Sequence, residues 1–280
     1  MSKMPEAAER GEPPMPEKSG AEAIVLSILR TLPGDWRIQK FLYQGTMSST
    51  WLLCSQRVRW KLVLKLAAPK EQAGWALRRE ISFLRQLRGE GIPFLYHDGA
   101  DSEIPWYSMI FYEGETLREA LWRQQTLTEK ETAYIGRRLC RILSVLHERT
   151  RPVIYGDLKP ENVLLTKDGG VYLLDYGNAW YPGEDQGRIG FRGTVGYAPP
   201  ECWHLEQAGT GVDIFALGVL LHEMLEGGRP EEHFGEYQLQ NSAYKKRWQA
   251  LIDACTALNA KKRIVDVRKA DQLLYIISTM

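Results

Sequence analysis

The stretch that decides the fold is YGDLKPENVLL, residues Tyr155–Leu165. Asp157 and Asn162 lie five residues apart, and Lys159 lies between them. Phosphoryl transfer needs a carboxylate that orients the attacking hydroxyl, an amide oxygen that binds magnesium and a cation near the moving phosphate. The alternative interpretation is a plain turn between two strands, since an Asp-Leu-Lys-Pro turn by itself is unremarkable. The spacing favours phosphoryl-transfer chemistry.

A second acidic motif, Asp175-Tyr176-Gly177, follows Asp157 by 18 residues and comes directly after the strand-like Val171–Leu174. A carboxylate at the end of a strand, before a flexible glycine, is well placed to bind magnesium that bridges nucleotide phosphates. In this order the two motifs resemble those of the protein kinase family, with YGDLKPEN in the place of the HRDLxxxxN catalytic loop and DYG in the place of DFG. The resemblance covers the chain from about Trp36 to Val267.

The resemblance implies an α+β, bilobal protein kinase-like fold. A small N-lobe contains an antiparallel sheet and one helix, and a larger C-lobe is mainly helical. Residues 1–20 are rich in Pro, Glu, Lys and Gly and bury too little apolar surface to order themselves. We therefore expect four segments: a disordered tail at 1–20, the N-lobe with a leading helix at 21–109, a hinge at 110–114 and the C-lobe at 115–280.

Individual helices are predicted from apolar spacing and from signals at their ends. Ala21–Leu32 is the leading helix, and Trp75–Leu87 is the one helical stretch expected inside the N-lobe. Thr128 and Glu131 form a capping box that predicts the start of a long C-lobe helix. Val212–Leu225 is apolar on nearly all sides, which is typical of a helix at the centre of a lobe.

The resemblance also implies which side chains carry the chemistry. Asp157 would orient the acceptor hydroxyl, and Lys159 would lie near the transferred phosphate. Lys65, anchored by Glu80, would reach the α- and β-phosphates of ATP. These four residues form the implied catalytic group, and ATP and Mg²⁺ are the implied cofactors.

The remaining implied site residues fall into three groups. The ATP-binding group consists of Gly45, Thr46, Ser48, Thr50, Val63, Lys65, Met109, Ile110, Tyr112 and Leu164. The magnesium ligands are Asn162 and Asp175. The substrate-docking and structural group consists of Thr194 and Glu201 in GTVGYAPPE, Asp213 in DIFALG and Arg263 in AKKRI.

The loop that should cover the phosphates departs most from the family pattern. LYQGTMSSTWLL keeps Gly45 but has Tyr43 and Ser48 where the pattern has its first and third glycines. Glycine is free in its backbone angles and lets the chain approach phosphate closely. We therefore expect a stiffer loop and weaker nucleotide binding.

A second departure is Tyr155-Gly156 in the place of His-Arg. Tyr155 can supply the packing of the histidine, next to Tyr176. The missing arginine is the group that normally binds a phosphorylated activation loop, and glycine has no charge for this task. We predict activity without phosphorylation of the activation loop.

Three functions stay open at this point: a Ser/Thr protein kinase, a pseudokinase scaffold that binds nucleotide weakly, and a small-molecule phosphotransferase of the aminoglycoside or choline kinase type. The small-molecule enzymes also carry a glycine before this aspartate. They lack the GTxxYxxPE docking segment and its arginine partner, which favours a protein substrate here. Lys159 together with Thr194 resembles the Ser/Thr class.

Composition excludes several other classes. With 36 Lys and Arg against 35 Asp and Glu, the formal net charge is +1, so no long-range field points to nucleic acid as a partner. No apolar run is long enough to span a bilayer, and four scattered cysteines show no metal or redox spacing. We expect a cytoplasmic protein, and the compact loops favour a bacterial source.

Overall fold

The computed structural model of the chain describes residues 18–184, 191–203, 208–230, 237–240 and 245–279. The predicted tail lies outside the described residues except for its last three, which are helical. The leading helix α1, Lys18–Thr31, begins three residues before the predicted Ala21. The division into four segments stays a prediction apart from this boundary.

The N-lobe is a five-stranded antiparallel sheet with the order β1-β2-β3-β5-β4. Its strands are β1 (Arg37–Gln44), β2 (Ser48–Cys54), β3 (Leu62–Ala67), β4 (Leu95–Asp98) and β5 (Trp106–Ile110). The helix α2, Glu71–Gln86, connects β3 to β4 and begins four residues before the predicted Trp75.

Both faces of this sheet are covered, and the central strand β3 contributes buried residues to each. Leu62, Leu64 and Leu66 of β3 belong to a core cluster with Val25 and Ile28 of α1. Alternate residues of a strand point to opposite faces, so Val63 and Lys65 face the other side. Residues of α2 pack on that side in the main core. The leading helix therefore packs on the N-lobe, as predicted, on the face opposite the one that carries Lys65.

The connection between the lobes is short. Strand β5 extends to Ile110, and β6, Gly114–Thr116, begins at the other end of the predicted hinge. Only Phe111, Tyr112 and Glu113 lie between these two strands. Strand β6 pairs with β7 (Val163–Thr166), which pairs with β8 (Val171–Leu173), so the catalytic segment leads into a small C-lobe sheet.

The described C-lobe helices are α3 (Leu117–Gln124), α4 (Glu129–His147), α5 (Gly211–Glu226), α6 (Lys245–Thr256) and α7 (Val267–Ser278). The predicted capping box is present, since the Thr128 side chain accepts the Glu131 N–H and Glu131 bonds back to the Thr128 N–H. Every residue from Val212 to Leu225 is buried, which confirms the central helix. In the part of the chain that the structure describes, no helix has the length and apolar character needed to cross a membrane.

Candidate active site

Lys65 and Glu80 form a buried ion pair that joins β3 to α2. Lys65 Nζ lies 2.8 Å from Glu80 Oε2 and 3.1 Å from Oε1, and Glu80 is 2% exposed. The same nitrogen lies 3.4 Å from Oδ1 of Asp175. Three predicted site residues that are far apart in the chain therefore meet at one point between the lobes.

Strand register explains how this pair is supported. Tyr107 of β5 is paired with Lys65 of β3, and its hydroxyl donates to Glu80 Oε1 at 2.9 Å. Burial acts to lower the pKa of Lys65, but the carboxylates of Glu80 and Asp175 raise it well above its usual value. The lysine is therefore positively charged at neutral pH.

The catalytic segment is held by a single buried carboxylate. Asp213, the third residue of α5, accepts the backbone N–H of Tyr155 at 2.8 Å and that of Gly156 at 2.7 Å. Its Oδ2 also lies 2.8 Å from Nε2 of His147, at the end of α4. Asp213 is fully buried. A side chain from the centre of the lobe thus fixes backbone that belongs to no helix or long strand.

Asp157, Lys159 and Thr194 form a closed triangle of polar contacts. The Thr194 hydroxyl donates to Asp157 Oδ1 at 2.6 Å and accepts from Lys159 Nζ at 2.8 Å. Lys159 Nζ lies 3.0 Å from Asp157 Oδ2. The residues come from the catalytic segment and from the predicted docking segment, so the fold brings the two segments together.

The two predicted magnesium ligands lie on adjacent backbone. The N–H of Leu174, next to Asp175, donates to the carbonyl of Asn162 at 2.8 Å. The Asn162 amide nitrogen donates to Asp157 O at 2.9 Å and to Asp157 Oδ2 at 3.1 Å, so these bonds engage the nitrogen and do not use the amide oxygen.

The side chain of Asp175 is 51% exposed. Burial acts to raise the pKa of Asp175, but Lys65 lowers it below its usual value, so this carboxylate is ionised at neutral pH. A carboxylate and an amide oxygen are ligands that Mg²⁺ prefers, so the donor set fits the ion.

The end of the docking segment is fixed to the C-lobe by a buried ion pair. Arg263 Nη1 lies 2.5 Å from Glu201 Oε1, and Nη2 lies 3.3 Å from Oε2. The same guanidinium donates to the carbonyls of Ala257 and Gly211. The predicted partnership of these two residues is therefore present, 62 positions apart in the chain.

The hairpin between β1 and β2 carries the poorest motif match. A turn closes it, with the Gly45 N–H donating to the Ser48 carbonyl at 2.8 Å. Thr46 lies at its tip and is exposed, while Thr50 is paired with Lys65 on the neighbouring strand. The side chain of Tyr43 is 65% exposed. The hairpin is therefore joined to the strand that carries Lys65, and its place over the phosphates stays a prediction.

The predicted adenine pocket is built from two strands and the connection between the lobes. Val63 is paired with Met109, and Ile110 is paired with Leu62. The ring of Tyr112 stacks on Tyr172, with 4.0 Å between ring centroids. Leu164 of β7 pairs with Tyr172 of β8, the residue on which Tyr112 stacks.

The order of these motifs along the chain and the residue pairs that they form are those of a known family. The sequence profile of the protein kinase domain matches residues 36–275. The chain belongs to the protein kinase family. The bilobal fold and the class of enzyme predicted from the motifs are confirmed.

Similar proteins include several eukaryotic kinases. Aurora kinase of Encephalitozoon cuniculi is 30% identical over 216 residues, which cover 75% of this chain and 78% of that protein. Aurora kinase C of Mus musculus is 33% identical over 172 residues, 61% of each chain. Serine/threonine-protein kinase PAK 4 of Homo sapiens is 32% identical over 215 residues, 74% of this chain but 35% of that protein. They support a eukaryotic-like Ser/Thr kinase, while the bacterial source stays a prediction.

Sequence reasoning missed three side chains that support the kinase site. Tyr107 holds Glu80, His147 contacts Asp213, and Trp180 packs on Gly156. Of these, Tyr107 could have been found from strand pairing, because it lies opposite Lys65. Trp180 has no motif signal, although it is fully buried and its backbone pairs with Ile154.

A buried arginine in the kinase was also missed. Arg118 of α3 donates to Glu161 at 2.7 Å, to Glu223 of α5 at 2.6 Å and to the Tyr197 hydroxyl at 2.9 Å. It therefore connects the catalytic segment, the central helix and the docking segment. In the sequence it looks like an ordinary solvated helix arginine, since its partners lie between 43 and 105 positions away.

Proposed function

We propose that this kinase transfers the γ-phosphoryl group of Mg-ATP to serine and threonine hydroxyls of proteins, without phosphorylation of its own activation loop. The observation that carries the proposal is the triangle of Asp157, Lys159 and Thr194. It brings the docking segment to the carboxylate that would orient the acceptor hydroxyl. The segment and the catalytic aspartate are thus assembled in one unit.

The roles of the side chains follow from their charge and position. Asp157 would accept a hydrogen bond from the acceptor hydroxyl and orient it for in-line attack. Lys65 and Lys159 would offset the negative charge of the phosphates. Asn162 and Asp175 would hold Mg²⁺, which neutralises charge on the phosphate oxygens. These residues place the reactants, and most of the catalysis comes from positioning and electrostatics.

The nucleotide base would lie between the strand residues Val63 and Met109 and the floor residue Leu164. Within the described residues, the backbone N–H of Phe111 donates to the carbonyl of Lys61, whereas the N–H of Tyr112 has no backbone partner. An amide without a backbone partner in this half-buried residue suits the edge of an adenine ring, because such an N–H needs an acceptor. This supports the assignment of Tyr112 to the ATP site.

Independence from loop phosphorylation is supported by the space around Gly156. This glycine has φ +80°, and a Cβ at this position would lie 2.0 Å from a ring atom of Trp180. The indole fills the volume beside residue 156, and Trp180 is 0% exposed. A charged side chain that binds phosphate has no place here.

The two alternatives have less support. A scaffold does not need the Lys65–Glu80 pair, which is formed here. A small-molecule kinase does not need the Glu201–Arg263 pair, which is formed as well. The hairpin between β1 and β2 favours weak nucleotide binding. This is the feature that supports the scaffold alternative. The predicted cytoplasmic location and the expected absence of a nucleic-acid partner stay predictions.

The test is transfer of labelled γ-phosphate from Mg-ATP by the purified, phosphatase-treated protein, alone and with a generic basic protein. Asp157→Ala is the decisive variant, and Asp168→Ala is its matched control, because Asp168 is an exposed aspartate in the turn after β7. We expect phosphoserine or phosphothreonine from the wild type and from Asp168→Ala. We expect the rate to fall by about 10²- to 10⁴-fold in Asp157→Ala, with ATP binding retained.

Each alternative has its own outcome. ATP binding without transfer in all three proteins supports the scaffold. Transfer to an aminoglycoside or choline but not to protein supports the small-molecule enzyme. Wild-type turnover by Asp157→Ala means that Asp157 is not the catalytic aspartate. Loss of wild-type activity after phosphatase treatment contradicts independence from phosphorylation.

A further inference from the structure

An ion pair between α2 and the segment after Asp175 lies outside the site described so far. Arg79 of α2 binds Glu184, nine residues after Asp175 in the chain, through two parallel contacts. Arg79 Nη1 lies 3.0 Å from Glu184 Oε1, and Nη2 lies 2.6 Å from Oε2. Nε and Nη2 also donate to the carbonyl of Ala179 at 3.2 Å and 3.1 Å. The guanidinium thus binds the segment after Asp175 at two places.

This pair differs from the surface ion pairs of the chain. The Arg79 and Glu184 side chains are 13% and 28% exposed, whereas those of Lys167 and Glu113 are 80% and 74% exposed. The Arg79 guanidinium also lies 5.4 Å from the centroid of the Phe83 ring. Exposed pairs contribute little, but a bidentate and partly buried arginine pair is among the stronger contacts in proteins.

Glu184 is presented by a turn that its own sequence dictates. Tyr181-Pro182-Gly183-Glu184 closes with the Glu184 N–H donating to the Tyr181 carbonyl at 3.1 Å, and Gly183 has φ +70°. Proline at the second position and glycine with positive φ at the third are typical of a type II turn. The Tyr181 N–H also donates to Glu184 Oε2 at 3.3 Å. The carboxylate is therefore held in place before it contacts Arg79.

The charge of Glu184 is secured as well. Its hydrogen bonds from Arg79 lower its pKa, and they outweigh the effect of burial, which acts to raise it. The carboxylate is therefore ionised at neutral pH.

The neighbour of Arg79 connects this pair to catalysis. Arg79 and Glu80 are consecutive on α2, and a rigid helix cannot rotate one without the other. Arg79 points to the segment after Asp175, while Glu80 binds Lys65. The same segment contributes a backbone contact to Glu80, since the Tyr176 N–H donates to Glu80 Oε1 at 3.3 Å. A fixed Arg79 therefore fixes the orientation in which Glu80 meets Lys65.

We propose that Arg79 and Glu184 are positioning residues, and that the fixed carboxylate of Glu184 holds α2 in the orientation in which Glu80 binds Lys65. The proposal rests on the proposed function, and it names the group that makes loop phosphorylation unnecessary. A negatively charged side chain of the segment takes the place that a phosphate group would otherwise fill opposite an arginine.

The experiment compares phosphatase-treated variants in steady-state kinetics with Mg-ATP. Glu184→Gln removes the negative charge and keeps the shape of the side chain. Arg79→Lys keeps the positive charge but removes the guanidinium that makes two parallel contacts. The double variant combines both changes. Gly183→Ala strains the turn alone, because a Cβ there would contact nothing within 4 Å. Arg85→Lys is the matched control, since Arg85 lies on the same helix and binds Asp98 through two contacts.

We expect Glu184→Gln and Arg79→Lys each to lower kcat by about tenfold, the population shift expected when a charge-assisted bidentate contact is lost. The double variant should lose no more than the worse single variant, because both act through one contact. Gly183→Ala should show a smaller loss of the same kind, and Arg85→Lys should change kcat by less than about twofold, as expected of an exposed pair. The melting temperature should change little in Glu184→Gln, which separates positioning from a loss of folding.

Unchanged kcat in Glu184→Gln overturns the proposal, as does an equal loss in Arg85→Lys or a double variant whose losses multiply. The failure of the proposed function looks different, because the wild type itself then transfers no phosphate. In that case the affinity for Mg-ATP tests the positioning role. A loss of affinity in Glu184→Gln but not in Arg85→Lys supports the positioning role, and equal affinities overturn it.

Discussion

The catalytic segment and the hairpin between β1 and β2 are both short segments, yet they are held in different ways. Asp213 binds two consecutive N–H groups of the catalytic segment, and Gly156 is packed under Trp180. The hairpin is closed by the turn bond at Gly45, by side-chain bonds from Gln44 to the carbonyls of Gly45 and Ser48, and by a bond from the Ala68 N–H to the Met47 carbonyl. The first region is fixed from the core, so its geometry tolerates little change. The second is fixed mainly by its own residues, so its chemistry depends on which side chains it carries.

The largest effect should come from Asp213→Asn, which attacks the catalytic segment at its anchor. An amide presents an N–H to donors that need an acceptor, so at least one buried N–H group loses its bond. Breaking a buried charged contact of this kind costs about 3–5 kcal/mol in the free energy of unfolding. We also expect kcat to fall, because Tyr155 and Gly156 directly precede Asp157 and their backbone sets its position.

Chemical denaturation and phosphate transfer measure both effects. Asp271→Asn is the control, because Asp271 of α7 accepts from Arg137 in a half-buried surface pair. A carboxylate-to-amide change there should be nearly neutral. Equal stabilities of Asp213→Asn and the wild type would show that the catalytic segment is not anchored through this residue.

Gly156→Ala should have the next largest effect. An L residue at φ +80° is strained, and its Cβ would lie 2.0 Å from the Trp180 ring, so the fully buried indole must move. Gly169→Ala, in the turn before β8, has a similar φ of +84° but meets its nearest atom, the Tyr134 hydroxyl, at 3.5 Å. Backbone strain alone should cost about 1 kcal/mol in Gly169→Ala, and overpacking should add about 1–3 kcal/mol in Gly156→Ala. Equal losses of unfolding free energy in the two variants would show that the contact with Trp180 does not constrain this residue.

A smaller effect, confined to activity, should follow from Thr194→Ala. The change removes one donor to Asp157 and one acceptor for Lys159, so both side chains become less well placed. We expect kcat to fall by about 10- to 100-fold, in the range of a lost charge-assisted contact. Thr194→Ser keeps the hydroxyl and should restore most of the rate. A serine variant as slow as the alanine variant would assign the effect to the methyl group instead.

The same contrast decides what the sequence could predict. Asp157, Asn162, Asp175 and Asp213 lie in short motifs with fixed spacing, because the segments that carry them must place these side chains at fixed positions. The spacing therefore carries the geometry, and the core helix Val212–Leu225 follows from composition alone.

Contacts between distant side chains that lie outside the motifs could not be predicted. Arg118, Arg79 and Trp180 lie in no motif, and the partners of the two arginines lie tens of residues away. The starts of α1 and α2 were also predicted three and four residues too late, because Lys18 and Glu71 carry no strong start signal. At the N-cap of α2, Lys70 makes no side-chain capping bond. Tertiary packing determines where such helices begin, and the packing partners cannot be identified from one sequence.

The smallest effect, and the sharpest test of the hairpin, is Ser48→Gly. Glycine restores freedom to the residue that ends the turn, so the backbone can approach phosphate more closely, while the added flexibility costs about 0.5–1 kcal/mol of stability. We expect the KM for ATP to fall by about two- to threefold with kcat unchanged, a difference of less than 1 kcal/mol in binding. Ser102→Gly, in the turn between β4 and β5, is the control for added flexibility and should leave KM unchanged. A rise of KM in Ser48→Gly would indicate instead that the Ser48 hydroxyl binds phosphate directly. The hairpin would then compensate for its missing glycines with a side chain.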